Sequence, residues 1–198
     1  SDEWGSNYAG HFLTEAQNNG YLVSDYMLQQ WKNYQRGRAN SWAPSTTNFY
    51  GGDLTQSYRL YTLALAKVPE LGAMNRLKEF KYLSTEAKWR LAAAYKLAGQ
   101  DNTALDLISG LPTSFEDRSS PGYTYGSSLR DQAMVFETLT IMGRKAKAAE
   151  LLPTIAAKLA QDNWYSTQTT AYALIAIAKY CGKNPSGAKI IATGTVDG

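Results

Sequence analysis

Apolar and polar positions along this chain fall into blocks of two kinds. In the first kind the apolar residues form a single stripe. Val23 to Gln35 carries Val23, Met27, Leu28, Trp31 and Tyr34 on one face, with Gln29, Gln30 and Lys32 turned away. Residues 71 to 81 repeat this through Leu71, Met74, Leu77 and Phe80. Residues 144 to 160 do so through Ala148, Leu151, Leu152, Ile155 and Leu159, opposed to Lys145, Glu150 and Lys158. Such spacing predicts helices with one wet side. Asn102 to Ser109, closed by Gly110 and Pro112, is a short helix of the same set.

The second kind has almost no polar side. Leu54 to Lys67 is broken only by Arg59 and Thr62, while Ser84 to Ala98, Leu129 to Met142 and Trp164 to Cys181 are similar. In the last of these, Ser166 is placed to cap a helix whose run from Ala171 to Ala178 contains no polar residue except the Tyr172 hydroxyl. At about 18 residues this block has the length of a membrane span. Its first turn is polar, however, and its apolar part is only about two turns long, so burial by protein on every side is the reading. A first helix, with Trp4, Tyr8, Phe12 and Leu13 near helical spacing, starts close to Ser6 and stops at Gly20.

The two kinds alternate at intervals scattering around roughly 40 residues. Helices buried on both faces must lie inside a layer of helices buried on one. The predicted fold class is therefore all-α, an α/α toroid of helical hairpins in which frequent Ala on the inner set lets the axes approach. A tetratricopeptide solenoid would need a stricter period of about 34 and a Trp, Leu, Gly and Tyr signature that is missing. Roughly nine or ten helices are too few for a ring of about twelve. The ring is thus expected to be incomplete, with a hairpin upstream of this chain and an apolar seam near the N-terminus. Pro153 should kink or split its helix.

Two stretches interrupt the helices. Gly37 to Asp53 is rich in Gly, Ser, Asn and Pro, and residues 114 to 128 form a second exposed connection. Their aromatics Trp42, Phe49, Tyr50, Tyr123 and Tyr125 suit sugar stacking or a protein partner, and packing onto the domain explains them equally. The end of the chain, Lys189 to Val196, reads as a β-like scrap without a partner strand.

Composition narrows the function classes. The 198 residues are 44% hydrophobic and 19% charged, as in a folded globule, and the net charge of +3 is spread along the sequence. Such a surface argues against nucleic acid as a partner. The only Cys, Cys181, excludes an internal disulfide and reads as an inert packed thiol. The only His, His11, excludes a two-histidine metal site and reads as a helix residue with one satisfied nitrogen. There is no starting Met and no signal-like or membrane-inserting segment, as in a piece of something longer.

No phosphate loop, zinc motif, nucleophile elbow or dinucleotide fingerprint is present. Carboxylates are the remaining candidates, because α/α toroids also house glycosidases and lyases built on carboxylate pairs. Glu137 lies between Phe136 and Leu139 in an inner helix, with Asp131 one to two turns before it and Glu15 elsewhere in the chain. Burial would raise the Glu137 pKa unless a cation stands by. The plainer reading pairs it with Arg130, Arg144 or a residue of a neighbouring helix. Asp53 reads as an N-cap. The residues thus nominate no catalytic, cofactor-binding or metal site.

Five stretches carry a resemblance: WGSNYAGHFLTEAQNNGYLV at 4 to 23, SYRLYTLALAKVPELGAMNRLKE at 57 to 79, AKWRLAAAYKLAG at 87 to 99, YGSSLRDQAMVFETL at 125 to 139 and WYSTQTTAYALIAIAKY at 164 to 180. In order and spacing they resemble the thioester-domain region of bacterial α2-macroglobulins. The Ser166, Thr167, Gln168 helix start is similar to one in animal macroglobulins and complement proteins. The resemblance implies a toroid over residues 1 to 187, followed from 188 to 198 by the start of a β domain or a linker. It further implies a periplasmic or cell-envelope protein that traps proteases, with macroglobulin-type β domains beside this one. It implies no enzyme and no cofactor. The family's Cys-x-x-Gln thioester is not found: Gly182, Lys183 and Asn184 follow Cys181, and the loop from Arg38 to Asp53 lacks the histidine that complement relatives use. The competing reading is a carbohydrate-active toroid enzyme using Glu137 with Asp131 or Glu15.

Overall fold

A computed structural model describes residues 2–44, 52–116, 124, 126–162 and 164–182. Among them are nine helices and no strand: α1 (Glu3–Asn18), α2 (Asp25–Ser41), α3 (Gly52–Leu65), α4 (Leu71–Lys78), α5 (Thr85–Leu97), α6 (Asp101–Ile108), α7 (Ser128–Ile141), α8 (Lys145–Leu159) and α9 (Thr167–Cys181). The fold is all-α. The expected tail strand and the boundary at 187/188 lie outside the described residues, as do Phe49, Tyr50, Tyr123 and Tyr125.

Helix ends follow from local chemistry. Ser24, Ser84, Ser127 and Ser166 each accept a bond from the amide three residues on, at 3.1 to 3.3 Å. Each thereby satisfies a first-turn donor that the helix cannot. Asp2 does the same for Trp4, so α1 begins at Glu3, three residues before the expected Ser6. After α5, Gly99 takes a φ of 76° and lets the Gln100 amide reach back to the Tyr95 carbonyl at 2.9 Å. Lys67 makes the equivalent turn after α3 with a φ of 65°, without the freedom of a glycine.

The odd-numbered helices pack in sequence, α1 on α3, α3 on α5, α5 on α7 and α7 on α9. Outside them, α2, α4 and α8 each bridge two neighbouring inner helices, and α6 packs on α5 alone. In α3 every residue from Leu54 to Leu65 except Thr55 is buried, and in α7 every residue from Ser128 to Leu139. In the outer α2, α4 and α8 only single stripes are buried: Leu28, Gln35 and Ala39; Ala73, Met74 and Leu77; Ala148, Leu151 and Ile155. Small residues such as Ala92, Ala93, Ala94 and Ala133, all sealed from water, allow the close inner approach. The row is curved, because side chains of all five odd-numbered helices converge on one point, described below.

Several expectations need correction. α9 is not buried all round: Thr169, Tyr172, Ala173 and Ala176 face inward, while Leu174 is 55% exposed. α1 is likewise one-sided, with Phe12 67% exposed. Both stand at the ends of the inner row, so no further helix among the described residues covers their second face. Cys181, in the last turn of α9, is exposed instead of packed. α2 runs to Ser41, four residues past the expected loop start at Gly37, since Arg38, Ala39 and Asn40 are acceptable helix residues and Ala39 is sealed in the core. Trp42 then packs edge-on to Phe80 at 6.1 Å. Pro153 does not split α8, because it and Ala149 lie on the exposed side, where the freed carbonyl can bond water. Asp53 is the second residue of α3, and its carboxylate accepts the Ser84 amide at 2.7 Å, bracing the start of α5.

Candidate functional site

The point of convergence is a buried network of charges and tyrosines around Glu137. The Glu137 carboxylate accepts from Arg90 of α5 at 2.7 Å, Lys179 of α9 at 2.6 Å and the Tyr61 hydroxyl of α3 at 2.8 Å. Lys179 also donates to the Tyr61 hydroxyl at 3.0 Å and pairs with Glu15 of α1. His11, one turn before Glu15, places Nε2 3.4 Å from the Glu15 carboxylate and bonds Tyr58 through Nδ1 at 3.1 Å. Arg90 lies over the Tyr61 ring at 4.2 Å, and the rings of Tyr58, Tyr61 and Tyr172 close around His11. One cluster thereby ties five helices together.

Its electrostatics are balanced. Two carboxylates face two cations, Arg90 and Lys179, so each buried charge has a partner. Burial alone would raise the Glu137 pKa, but Lys179 and Arg90 outweigh it and hold the carboxyl far below its usual range. Burial likewise acts against Glu15, but the neighbouring His11 imidazole and Lys179 outweigh it and lower the pKa. Lys179 is pulled the other way: burial lowers its pKa, and Glu137, Tyr61 and Glu15 together raise it well above the ordinary value. For His11 burial dominates and keeps the imidazole below its usual range. Tyr58, Tyr61 and Tyr172 are raised by burial and stay protonated.

Neither carboxylate of this arrangement is suited to the general-acid role. Glycoside cleavage needs one carboxyl kept protonated by its surroundings, and here both Glu137 and Glu15 are held ionised by cations. Asp131 is elsewhere: it accepts two bonds from Arg130, at 2.7 and 3.1 Å, and Arg130 donates to the Thr124 carbonyl at 2.6 Å and lies over Trp4. The structure thus joins Glu137 to Glu15 and leaves Asp131 apart. Donor atoms of His11, Glu15 and Glu137 do come within 4.8 Å of one another, a spacing open to a metal ion. Lys179 already bonds both carboxylates, and a divalent ion would add its charge to a cluster already neutral.

Sequence reasoning placed the partner of Glu137 on Arg130, Arg144 or a neighbouring helix, and the last is what the structure shows. Arg90 itself was missed, although a lone Arg inside WRLAAAY needs a buried anion and could have marked it. Arg59 signals a second network in the same way. It donates to Gln35 at 2.9 Å, to Gln56 at 2.5 Å and to Glu3 at 3.0 Å. Burial, with Arg38 nearby, brings Arg59 down to about 10.

Beside the network a cleft of about 820 Å³ opens between α1, the start of α2 and α9. Its walls are apolar, with Phe12, Leu22, Met27, Leu174 and Ile175 prominent, and Glu15 and His11 at the polar end. Phe12, Tyr21, Leu22, Tyr26, Met27 and Leu174 are all exposed. This is the apolar seam expected near the N-terminus.

No protein-family profile matches the sequence, and no curated protein does. Solved structures do. Native Escherichia coli α2-macroglobulin, from domain MG7 to its C-terminus, matches 91% of this chain with a TM-score of 0.73 and 23% identity. Salmonella α2-macroglobulin reacted with methylamine matches 94% with a TM-score of 0.75 and 21% identity. The trypsin-activated Escherichia coli protein matches 90%, with a TM-score of 0.70 and 24% identity. The chain therefore has the fold of one region of bacterial α2-macroglobulins. It spans 30%, 12% and 13% of those three chains respectively.

Proposed function

We propose that this chain is part of a bacterial α2-macroglobulin-like protease-trapping inhibitor, corresponding to its thioester-domain region and acting by packing, not by catalysis. The observation that carries the reading is the shared fold over nine-tenths of the chain. The apolar seam supports it, since α1 and α9 each present a second greasy face that a further hairpin of an α/α toroid would bury. In this reading an upstream hairpin closes the ring, macroglobulin-type β domains flank it, and the parent sits in the periplasm or cell envelope. Among the described residues no helix is long and apolar enough to cross a membrane.

Cys181 takes no part in a thioester in this reading. It ends α9 instead of opening a helix, and Asn184 stands where the motif needs Gln. Any acyl transfer belongs to another segment of the parent. The carbohydrate-enzyme reading loses its footing in the ionised, paired state of Glu137.

The test is a trapping assay on the parent protein. Incubated with trypsin, the parent should suppress cleavage of a large protein substrate while a small peptide substrate is still cut, because a caged protease excludes only bulky substrates. Equal cleavage of both substrates with and without the parent would overturn the proposal.

A further inference from the structure

The network around Glu137 contains three basic side chains and only two carboxylates. At neutral pH the imbalance is hidden because His11 is uncharged, and Arg90 and Lys179 alone neutralise Glu15 and Glu137. The three bases differ in their access to water. Arg90 and His11 are sealed, at 0% and 2% side-chain exposure, whereas Lys179 is 21% exposed. Lys179 borders a second cavity of about 430 Å³, lined also by Asn18, Asn19, Ala178 and Gly182. It is the one cation with somewhere to go.

His11 is placed to take over. Its Nε2 has no hydrogen-bond partner and stands 3.4 Å from the Glu15 carboxylate that Lys179 holds. A proton on Nδ1 would be received by the Tyr58 hydroxyl, whose own proton can turn toward the neighbouring Tyr172. The charged and titratable groups around His11 are Glu15 on its own helix, Tyr58 and Tyr61 on α3, Arg90 on α5, Glu137 on α7, and Tyr172 and Lys179 on α9. α2 meets α1 one residue earlier through the uncharged Trp31. A second proton at this point would leave three cations against two anions in a dry site, a state that buried groups avoid by expelling a charge.

We propose that Glu15 and Glu137 form a seat for one exchangeable cation, held by Lys179 at neutral pH and ceded to His11 in acid, so that acid unfastens the last turn of α9 from α1. The exchange conserves the charge of the cluster: one proton enters on His11, and one ammonium leaves to solvent. Its structural consequence is local. α1 and α9 share no direct backbone packing, and Lys179 to Glu15 is the ion pair that joins them, with Tyr8 and His11 against Tyr172 as ring contacts two turns away. The N-terminal half of α1 stays fixed on α3 by Asn7 and by Trp4 against Tyr58. What is released is the tie to α1, while the end of α9 stays on α7 through Tyr180 against Phe136. This proposal is independent of what the parent protein does.

The chain offers a clean probe, because His11 is its only histidine. Nuclear magnetic resonance of the folded chain between pH 7.5 and pH 4.5 should show the His11 ring titrating below the ordinary imidazole value of about 6.5. The backbone amides of residues 179–182 should shift with the same midpoint. In Lys179→Met the competitor is gone, so the midpoint should move upward and the coupled shift at the end of α9 should vanish. Three results would each overturn the proposal: α9 amides that ignore the His11 titration, a midpoint unchanged by Lys179→Met, or unfolding of the whole chain before His11 takes up its proton. Should Lys179→Met fail to fold, Lys179→Arg keeps a cation with a less mobile fork, and the expected downward shift of the midpoint decides the question.

Discussion

Arg90 of α5 and Glu137 of α7 pair at 2.7 Å with both side chains out of reach of water. Two adjacent inner helices are thus pinned by one charge pair, and Lys179 brings a third helix to the same carboxylate. Such a pair adds little compared with a well-packed apolar substitute, yet removing one half of it is costly. Glu137→Leu would strand Arg90 in the interior, while Lys179 keeps Glu15 and its access to water. We expect a loss of about 3 to 5 kcal/mol in urea unfolding. The double change Glu137→Leu with Arg90→Met should recover much of it. A loss under about 1 kcal/mol in the single variant would show that the pair is not desolvated as described.

Gly10 sets the approach of α1 to α2. A Cβ built there falls 1.8 Å from the Trp31 indole, whose Nε1 donates to the Ser6 carbonyl at 2.9 Å. The ring cannot retreat without giving up that bond. Gly10→Ala should therefore destabilise by about 1 to 3 kcal/mol, against the usual gain of helix propensity on replacing Gly. A thermal melt compares the two directly, and a raised melting temperature would contradict the close packing.

Stability should depend on pH at both ends of the scale. His11 is lowered in the folded chain, so its contribution is complete above the unfolded imidazole value of about 6.5 and declines as pH falls through and below it. Glu15 and Glu137 are also lowered, and their larger contribution is lost as pH falls below the ordinary carboxylate value of 4.5. Tyr58, Tyr61 and Tyr172 are raised, so theirs is present below 10.0 and lost above it. Urea midpoints measured across pH should form a plateau between about 6.5 and 10, with the first acid step absent in His11→Gln.

Much of this architecture was legible in the chain because burial writes itself into periodicity. The wholly apolar blocks of α3, α5 and α7 and the stripes of α2, α4 and α8 gave the two layers and their order. The same rule misjudged α9, since periodicity reports the surroundings a helix was selected for and Leu174 here faces a cleft. The extra turn at the end of α2 escaped because Gly37 and the polar residues after it read as loop, while Ala39 is held by core packing. In the site, the isolated Arg90 and Arg59 carried a signal for buried anions that went unread, because Arg59 reads as a break in an apolar run and Arg90 sits inside another. Lys179 did not, because a basic residue in a last helical turn is ordinary. The meeting of Glu15 with Glu137 depends on curvature of the inner row, which no local pattern encodes.

In the proposed macroglobulin-like reading, the exposed apolar faces of α1 and α9 are an interior surface of a larger helical ring. A structure of the parent protein that includes the sequence preceding Ser1 tests it most directly. A helical hairpin should be seated in the cleft, with Phe12, Met27 and Leu174 brought from exposed to buried by its side chains. A parent structure in which these three residues face water, or in which the preceding segment folds away from α1 and α9, would contradict it.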